Sequence, residues 1–183
     1  IRLELRSFAD VGLVGFPNAG KSTFLNSVSA AKPKIGDYPF TTLKPNLGTI
    51  KYFDKSYVIA DIPGLIEGAS TGLGLGIKFL KHISRTKSLI IFLDPENSEI
   101  ELLDQFKILT KELLEFDKAL IEKKIWIAVN KNDLLEKRGS AEIKLLKGQL
   151  SDLGINYQDL LSISGYTKNN VEELFNSLFN EKN

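Results

Sequence analysis

The run Gly15-Phe16-Pro17-Asn18-Ala19-Gly20-Lys21-Ser22 constrains this chain more than any other stretch. It is a glycine, four residues and then Gly-Lys-Ser, the P-loop pattern. Glycines let the backbone turn tightly and present N–H groups as a concave nest for phosphate oxygens. Lys21 adds a mobile positive charge that can reach β- and γ-phosphates, and the Ser22 hydroxyl can ligate Mg²⁺. The flanks agree with that reading. Val11 to Val14 is a short apolar strand, and Ser22-Thr23-Phe24-Leu25-Asn26-Ser27-Val28 has apolar residues at helical spacing. The helix aims its positive end at the same anion. A glycine-rich turn with an incidental lysine needs neither flank.

The totals exclude several classes. With 183 residues the chain suits one domain with a real core. Its 24 basic and 23 acidic residues leave a net charge of +1, so no global field marks a nucleic-acid or membrane binder. DNA is not an expected partner, and a monomer is expected. The absence of cysteine removes disulfide and thiolate chemistry and fits a reducing, cytoplasmic setting. No apolar stretch approaches the ~18 residues of a membrane span. The chain opens at Ile1 and has no methionine, so a fragment of a longer polypeptide is expected. Residues 1–9 then read as a linker from a preceding domain, and 10–183 as one domain.

Beyond the first helix, residues 31–42 contain Pro33, Gly36 and Pro39 without a sustained period, and read as a long loop. Loops of that length are commonly functional. Behind a P-loop, a switch segment is favoured, with Thr41 or Thr42 offering a hydroxyl to Mg²⁺. Leu47 to Phe53 and Tyr57 to Ala60 are strands around an Asp54-Lys55-Ser56 turn. The second strand runs into Asp61-Ile62-Pro63-Gly64. There a carboxylate can hold Mg²⁺ through water, and the Gly64 N–H can approach a γ-phosphate. Glycines at 68, 72, 74 and 76 then suggest a second switch, followed by a helix over 77–85. The single histidine, His82, is read as surface or packing.

Ser88 to Leu93 is a continuous apolar run, a central parallel strand. One long amphipathic helix is expected over 100–122, and a strand over 125–129. The next four residues are Asn130-Lys131-Asn132-Asp133. The Asp133 carboxylate can accept hydrogen bonds from the ring N–H and exocyclic amine of guanine, a pair that adenine lacks. Asn130 can bridge base and loop, and the Lys131 stem can cover the ring. Residues 134–153 are helical in period, 161–164 read as a last short strand and 171–179 as a closing helix. Between them Ser164-Gly165-Tyr166 can offer a backbone N–H to the guanine carbonyl. The expected fold is α/β, a P-loop NTPase with a doubly wound, mostly parallel six-stranded sheet and helices on both faces.

In this order, GFPNAGKS, the Thr41-Thr42 pair, DIPG, NKND and SGY resemble the five nucleotide-binding motifs of a GTPase domain. Longer matches are similar to the Obg family. They are Asp10 to Asn18, Tyr38-Pro39-Phe40-Thr41-Thr42-Leu43 with Pro45 to Gly48, and Asp61 to Ala69 with Gly74-Leu75-Gly76. Phe79-Leu80, His82-Ile83 and Arg85 complete the set. The related DRG and YchF-like GTPases share parts of these stretches. The resemblance implies GTP and GDP as ligands, Mg²⁺ as cofactor and slow GTP hydrolysis. It also implies association with the large ribosomal subunit during its assembly, and a glycine-rich N-terminal domain preceding this one. Carried over by position, Gly15 to Ser22 bind phosphates, and Thr23, Phe40, Thr41, Thr42, Leu43 and Lys44 contact nucleotide. Ser22 and Thr42 ligate Mg²⁺, with Asp61 acting through water. Asp61, Ile62, Pro63 and Gly64 flank the γ-phosphate. Asn130, Lys131, Asn132, Asp133, Ser164, Gly165 and Tyr166 surround the base. Lys21, Thr42 and Gly64 are the expected catalytic groups. Gly165 stands where many GTPases have Ala, a departure expected to matter little because only the backbone is needed. Leu65 stands where many regulatory GTPases place a glutamine that orients the attacking water, which suggests slow turnover until a partner or ion completes the site. Asn18 can supply an oxygen to K⁺ beside the phosphates, or simply stabilise the loop; the sequence leaves both readings open.

Overall fold

The structure is a computed structural model describing residues 9–35, 45–61, 86–135 and 139–180. Residues 36–42 of the switch loop expected over 31–42, the second switch expected over 65–76, and the helix over 77–85 with His82, lie outside the described residues. Strand β1 (Val11–Gly15) leads through the glycine-rich run into α1 (Lys21–Val28). A two-residue β2 (Lys34–Ile35) precedes the β3 (Asn46–Tyr52) and β4 (Lys55–Asp61) hairpin. Then come β5 (Ser88–Leu93), α2 (Leu102–Phe116), α3 (Lys118–Ile121) and β6 (Lys124–Val129). The chain closes with α4 (Gly139–Asp152), β7 (Asp159–Ser162) and α5 (Val171–Phe179). None of the described helices is long and apolar enough to cross a membrane.

The strands form one sheet in the order β2-β3-β4-β1-β5-β6-β7. Pairs from β4 through β7 are parallel, and the β2–β3 and β3–β4 pairs are antiparallel. The expected α/β architecture is present, with seven strands where six were expected. The extra one is Lys34–Ile35, paired with Leu47 and Asn46 at the sheet's edge. Two exposed residues inside a proline- and glycine-containing loop show no periodicity to read.

Alternation along the central strands supplies both layers of helices. Leu89, Ile91 and Leu93 of β5 join the core that holds Phe106, Leu109 and Leu113 of α2 and Leu146 and Leu150 of α4. Ile90 and Phe92 point the other way, into the core with Phe24 and Leu25 of α1 and Leu174, Phe175 and Leu178 of α5. A strand covered on both faces must be apolar throughout, which is why β5 reads as an unbroken hydrophobic run.

Three boundaries differ from expectation. The helix expected over 100–122 is two helices, because Asp117 is extended (φ −157°, ψ 113°) and its carboxylate accepts the Ala119 N–H at 2.9 Å, capping α3. Aspartate competes for the backbone in this way, and amphipathic period alone does not register it. Of the helix expected over 134–153, Leu134 lies in a turn at 132–134, and the described helix covers Gly139–Asp152. It ends before Gly154, whose left-handed φ of 63° suits a residue without Cβ. Strand β7 ends at Ser162 rather than 164, because its ladder with β6 is complete once Ser162 pairs with Val129.

The chain leaves β1 toward β4 on one side and returns past it to β5 on the other. That makes β1 the place where strand order reverses, and crevices for ligands open at the carboxyl ends of strands flanking such a point. Gly15, Asp61, Asn130 and Ser162 stand at the ends of β1, β4, β6 and β7 on that rim.

Candidate functional site

The glycine-rich run wraps from the end of β1 to the first turn of α1. Phe16 and Ala19 are buried in the two cores, so their contribution at the rim is through the backbone. Pro17 and Asn18 are exposed, and Asn18 adopts a left-handed φ of 64°. At Gly20, φ is 88° and a Cβ would lie 2.3 Å from Asn130 Nδ2. At Gly15 a Cβ would meet the Phe92 carbonyl oxygen at 2.7 Å. Gly20 needs glycine for conformation and for contact, and Gly15 for contact alone.

Lys21 Nζ donates to the carbonyls of Gly15 at 2.8 Å and Phe16 at 2.9 Å. An ammonium has three N–H donors, so the ammonium tied to the loop by two still has a third to offer an anion. Burial pushes its pKa below the ordinary 10.5, and the nearby Asp61 carboxylate opposes that shift. Ser22 Oγ donates to Asp61 Oδ2. Asp61 is only 4% exposed, and its other oxygen, Oδ1, is buried with no hydrogen-bond partner among the described residues. A buried carboxylate oxygen without a partner is costly, and a cation is the natural complement. The donor set of one carboxylate and one hydroxyl fits Mg²⁺, which is usually held by one or two protein groups together with water and substrate phosphates. Among the described residues no cluster of three or more His, Cys, Asp or Glu forms a separate metal cage.

The β6–β7 side of the rim is organised by Asn130, which is 3% exposed. Its Nδ2 donates to the Ala19 carbonyl at 2.9 Å, and its Oδ1 accepts the Gly165 N–H at 2.8 Å. One amide therefore ties the phosphate loop to the loop after β7. Asn132 turns inward, donating from Nδ2 to the Ser162 carbonyl and from its backbone to Ile163. Ser164 is buried, and its hydroxyl accepts the Thr167 N–H. A cleft of about 240 Å³ opens between these loops, lined by Asn18, Gly20, Thr23, Lys131, Asp133 and Tyr166, among others. Asp133 is exposed within it, and Tyr166 stands free at its mouth.

The structure thus brings together Gly15 to Thr23, Asp61, Asn130 to Asp133 and Ser164 to Tyr166. Phe40, Thr41, Thr42, Leu43, Lys44, Ile62, Pro63, Gly64 and Leu65 lie outside the described residues. One detail goes beyond the sequence reading. The Gly165 N–H, one of the backbone donors of the Ser164-Gly165-Tyr166 run, is engaged by Asn130. Glycine at 165 also has a reason beyond its backbone, since a Cβ there would lie 2.8 Å from Phe24 Cβ and 2.9 Å from its Cα. Asp94, at the end of β5, was not singled out from sequence, yet it pairs with Lys131 at 2.6 Å. The signal available was its place, an acid closing an apolar strand on the ligand side of the sheet.

A phosphate nest, a metal-competent carboxylate and a purine-sized cleft on one rim are the arrangement of a P-loop GTPase domain. The chain belongs to the family described as 50S ribosome-binding GTPase, whose model matches residues 10–131, and within it to the Obg GTPases. It is 45% identical over 187 residues to GTPase Obg of Prosthecochloris aestuarii, covering 100% of this chain and 53% of that protein. GTPase Obg of Chloroherpeton thalassium is 46% identical over 175 residues, covering 95% and 49%. The chain thus spans about half the length of these two curated relatives. A Sulfolobus solfataricus GTP-binding protein solved in complex with GDP superposes with a TM-score of 0.74 at 21% identity, over 94% of this chain and 51% of that one. The G domain of Thermotoga maritima FeoB gives 0.64 at 22%, over 92% and 94%. These two likenesses speak to the fold.

The lowered Lys21 pKa has a signed consequence. The folded protein holds this proton less tightly than the unfolded chain, so burying the charged amine opposes folding at neutral pH. That penalty is relieved as pH rises through the folded pKa toward 10.5. Urea unfolding of the nucleotide-free protein is therefore expected to show wild type gaining stability relative to Lys21→Gln across that alkaline window. A constant difference between the two would show that Lys21 is not held in a desolvated state.

Proposed function

We propose that this domain binds GTP and GDP with Mg²⁺ and hydrolyses GTP slowly, and that it acts as a nucleotide switch during assembly of the large ribosomal subunit in the cytoplasm. The carrying observation is the Asn130 clamp, which holds the phosphate loop and the Asp133 cleft as parts of one site. In this reading Gly15 to Thr23 cradle the phosphates and the third Lys21 N–H reaches toward them. Asp133 accepts the two guanine donors, with Tyr166 beside the base. Ser22 and Asp61 hold Mg²⁺, Asp61 through water, together with Thr42. Bound there, the ion would neutralise charge gathering on the phosphate oxygens. Thr42 and Gly64 complete the catalytic set, and Phe40, Thr41, Leu43, Lys44, Ile62 and Pro63 close over the nucleotide. Leu65 can neither donate nor accept a hydrogen bond, which supports slow intrinsic turnover and a switch rather than a stand-alone hydrolase.

The ribosomal role rests on the family description and on relatives named GTPase Obg. Single-turnover hydrolysis with and without large ribosomal subunits tests it on this chain. Stimulation supports the switch, and an unchanged rate favours a stand-alone hydrolase. K⁺ is a second candidate activator, because Asn18 is exposed on the phosphate loop. Rates in K⁺ and Na⁺ for wild type and Asn18→Ala should differ only for wild type; four equal rates remove the idea.

Calorimetry with GTP, GDP and ATP, with and without Mg²⁺, tests the nucleotide reading itself. Guanine nucleotides are expected to bind on the order of a hundredfold or more tighter than ATP, since a mismatched base leaves buried polar groups unpaired. Asp133→Asn is expected to move preference toward xanthine nucleotides. Equal affinity for ATP and GTP, or no binding of either, would overturn the reading.

A further inference from the structure

Lys131 follows Asn130 in a left-handed conformation, with φ 62°. Its ammonium does not point into the base cleft that its residue lines. It is held by Asp94 Oδ2 at 2.6 Å, in a pair whose side chains are 27% and 9% exposed. Asp94 is itself fixed from several directions. Its N–H donates to Gln105 Oε1 at 2.9 Å, and its carbonyl accepts from Gln105 Nε2 at 2.8 Å. Gln105 is fully buried on α2 and donates also to the Ile100 carbonyl at 2.8 Å. The second carboxylate oxygen, Oδ1, accepts the Glu96 N–H at 3.0 Å. Beside it the Asn130 N–H donates to the Leu93 carbonyl at 2.9 Å, joining the ends of β6 and β5.

We propose that Asp94 is a positioning residue for nucleotide binding: it anchors the Lys131 ammonium on the α2 side of the site, so that the four-carbon stem stands as a preformed apolar wall for the purine. The inference rests on the guanine-nucleotide reading above. A free lysine side chain loses much rotamer entropy when a ligand orders it, whereas one already tethered at its far end loses little. The tether also places the positive charge against a carboxylate rather than against the donor edge of guanine. Gln105, with both amide ends engaged, fixes the backbone of residue 94 to α2, and the Glu96 N–H holds the carboxylate's second oxygen.

The test is the dissociation of a fluorescent GDP analogue from wild type, Asp94→Asn, Lys131→Met and the double variant, alongside urea unfolding of each. Asp94→Asn keeps the shape and an acceptor for Glu96 while removing the charge. It is expected to speed dissociation about tenfold and to add nothing further in the Lys131→Met background, since both changes break one coupling. An unchanged rate in Asp94→Asn, or an equal acceleration in the Lys131→Met background, would overturn the proposal. Should Asp94→Asn not fold, Asp94→Glu, which retains charge but moves it by one methylene, is judged by the same two comparisons. Failure of wild type to bind GDP would instead remove the guanine reading, and so is distinguishable from an Asp94 that plays no part.

Discussion

Everything at the rim is referenced to one buried amide. Asn130 is placed by β6, the strand between β5 and β7, and its side chain reaches the Ala19 carbonyl on one side and the Gly165 N–H on the other. Neither loop belongs to a ladder at those points, so their relative height is set by these two hydrogen bonds and by packing beneath them. Buried amide bonds of this kind bring modest net energy, but losing one partner leaves the other unsatisfied and desolvated. Their main effect is geometric. They hold a region suited to a charged tail and a region suited to a flat ring in one fixed relation.

The phosphate end shows a different economy. Lys21, Ser22 and the buried Asp61 lie close together, and the hydroxyl and the ammonium both face the carboxylate's charge. The lysine leans on loop carbonyls, the serine leans on the carboxylate, and the carboxylate retains one buried oxygen without a partner among the described residues. A site that leaves its own polar groups incompletely matched favours a ligand that supplies both negative oxygens and a small divalent cation. The β3–β4 hairpin makes this arrangement possible, because its seven-pair register carries Asp61 to the same rim as Gly15.

Most of this was legible from sequence wherever a residue type at a fixed spacing implies a chemistry. The glycine-rich run, the acid closing β4, the Asn-Lys-Asn-Asp stretch and the continuous apolar strand β5 all stand where their patterns placed them. What escaped had a physical reason in each case. Lys34 and Ile35 are too few to show a period. Asp117 breaks a helix by a local cap that amphipathic counting ignores. Asp94 and Gln105 act through partners distant in sequence, Lys131 and the end of β5, and only the folded sheet shows that they meet. Phe16 and Ala19 sit inside the motif yet belong to the core, since a loop that binds through its backbone is free to use side chains as plugs.

The approach of Gly165 to Phe24 carries a mechanical consequence. There is no room for a methyl between the loop after β7 and the backbone of α1, so the two surfaces bear directly on one another. A side chain inserted at 165 would act as a wedge under α1, whose first residues are Lys21 and Ser22. A disturbance begun in the loop after β7 would therefore be carried to the glycine-rich run at the other end of the rim.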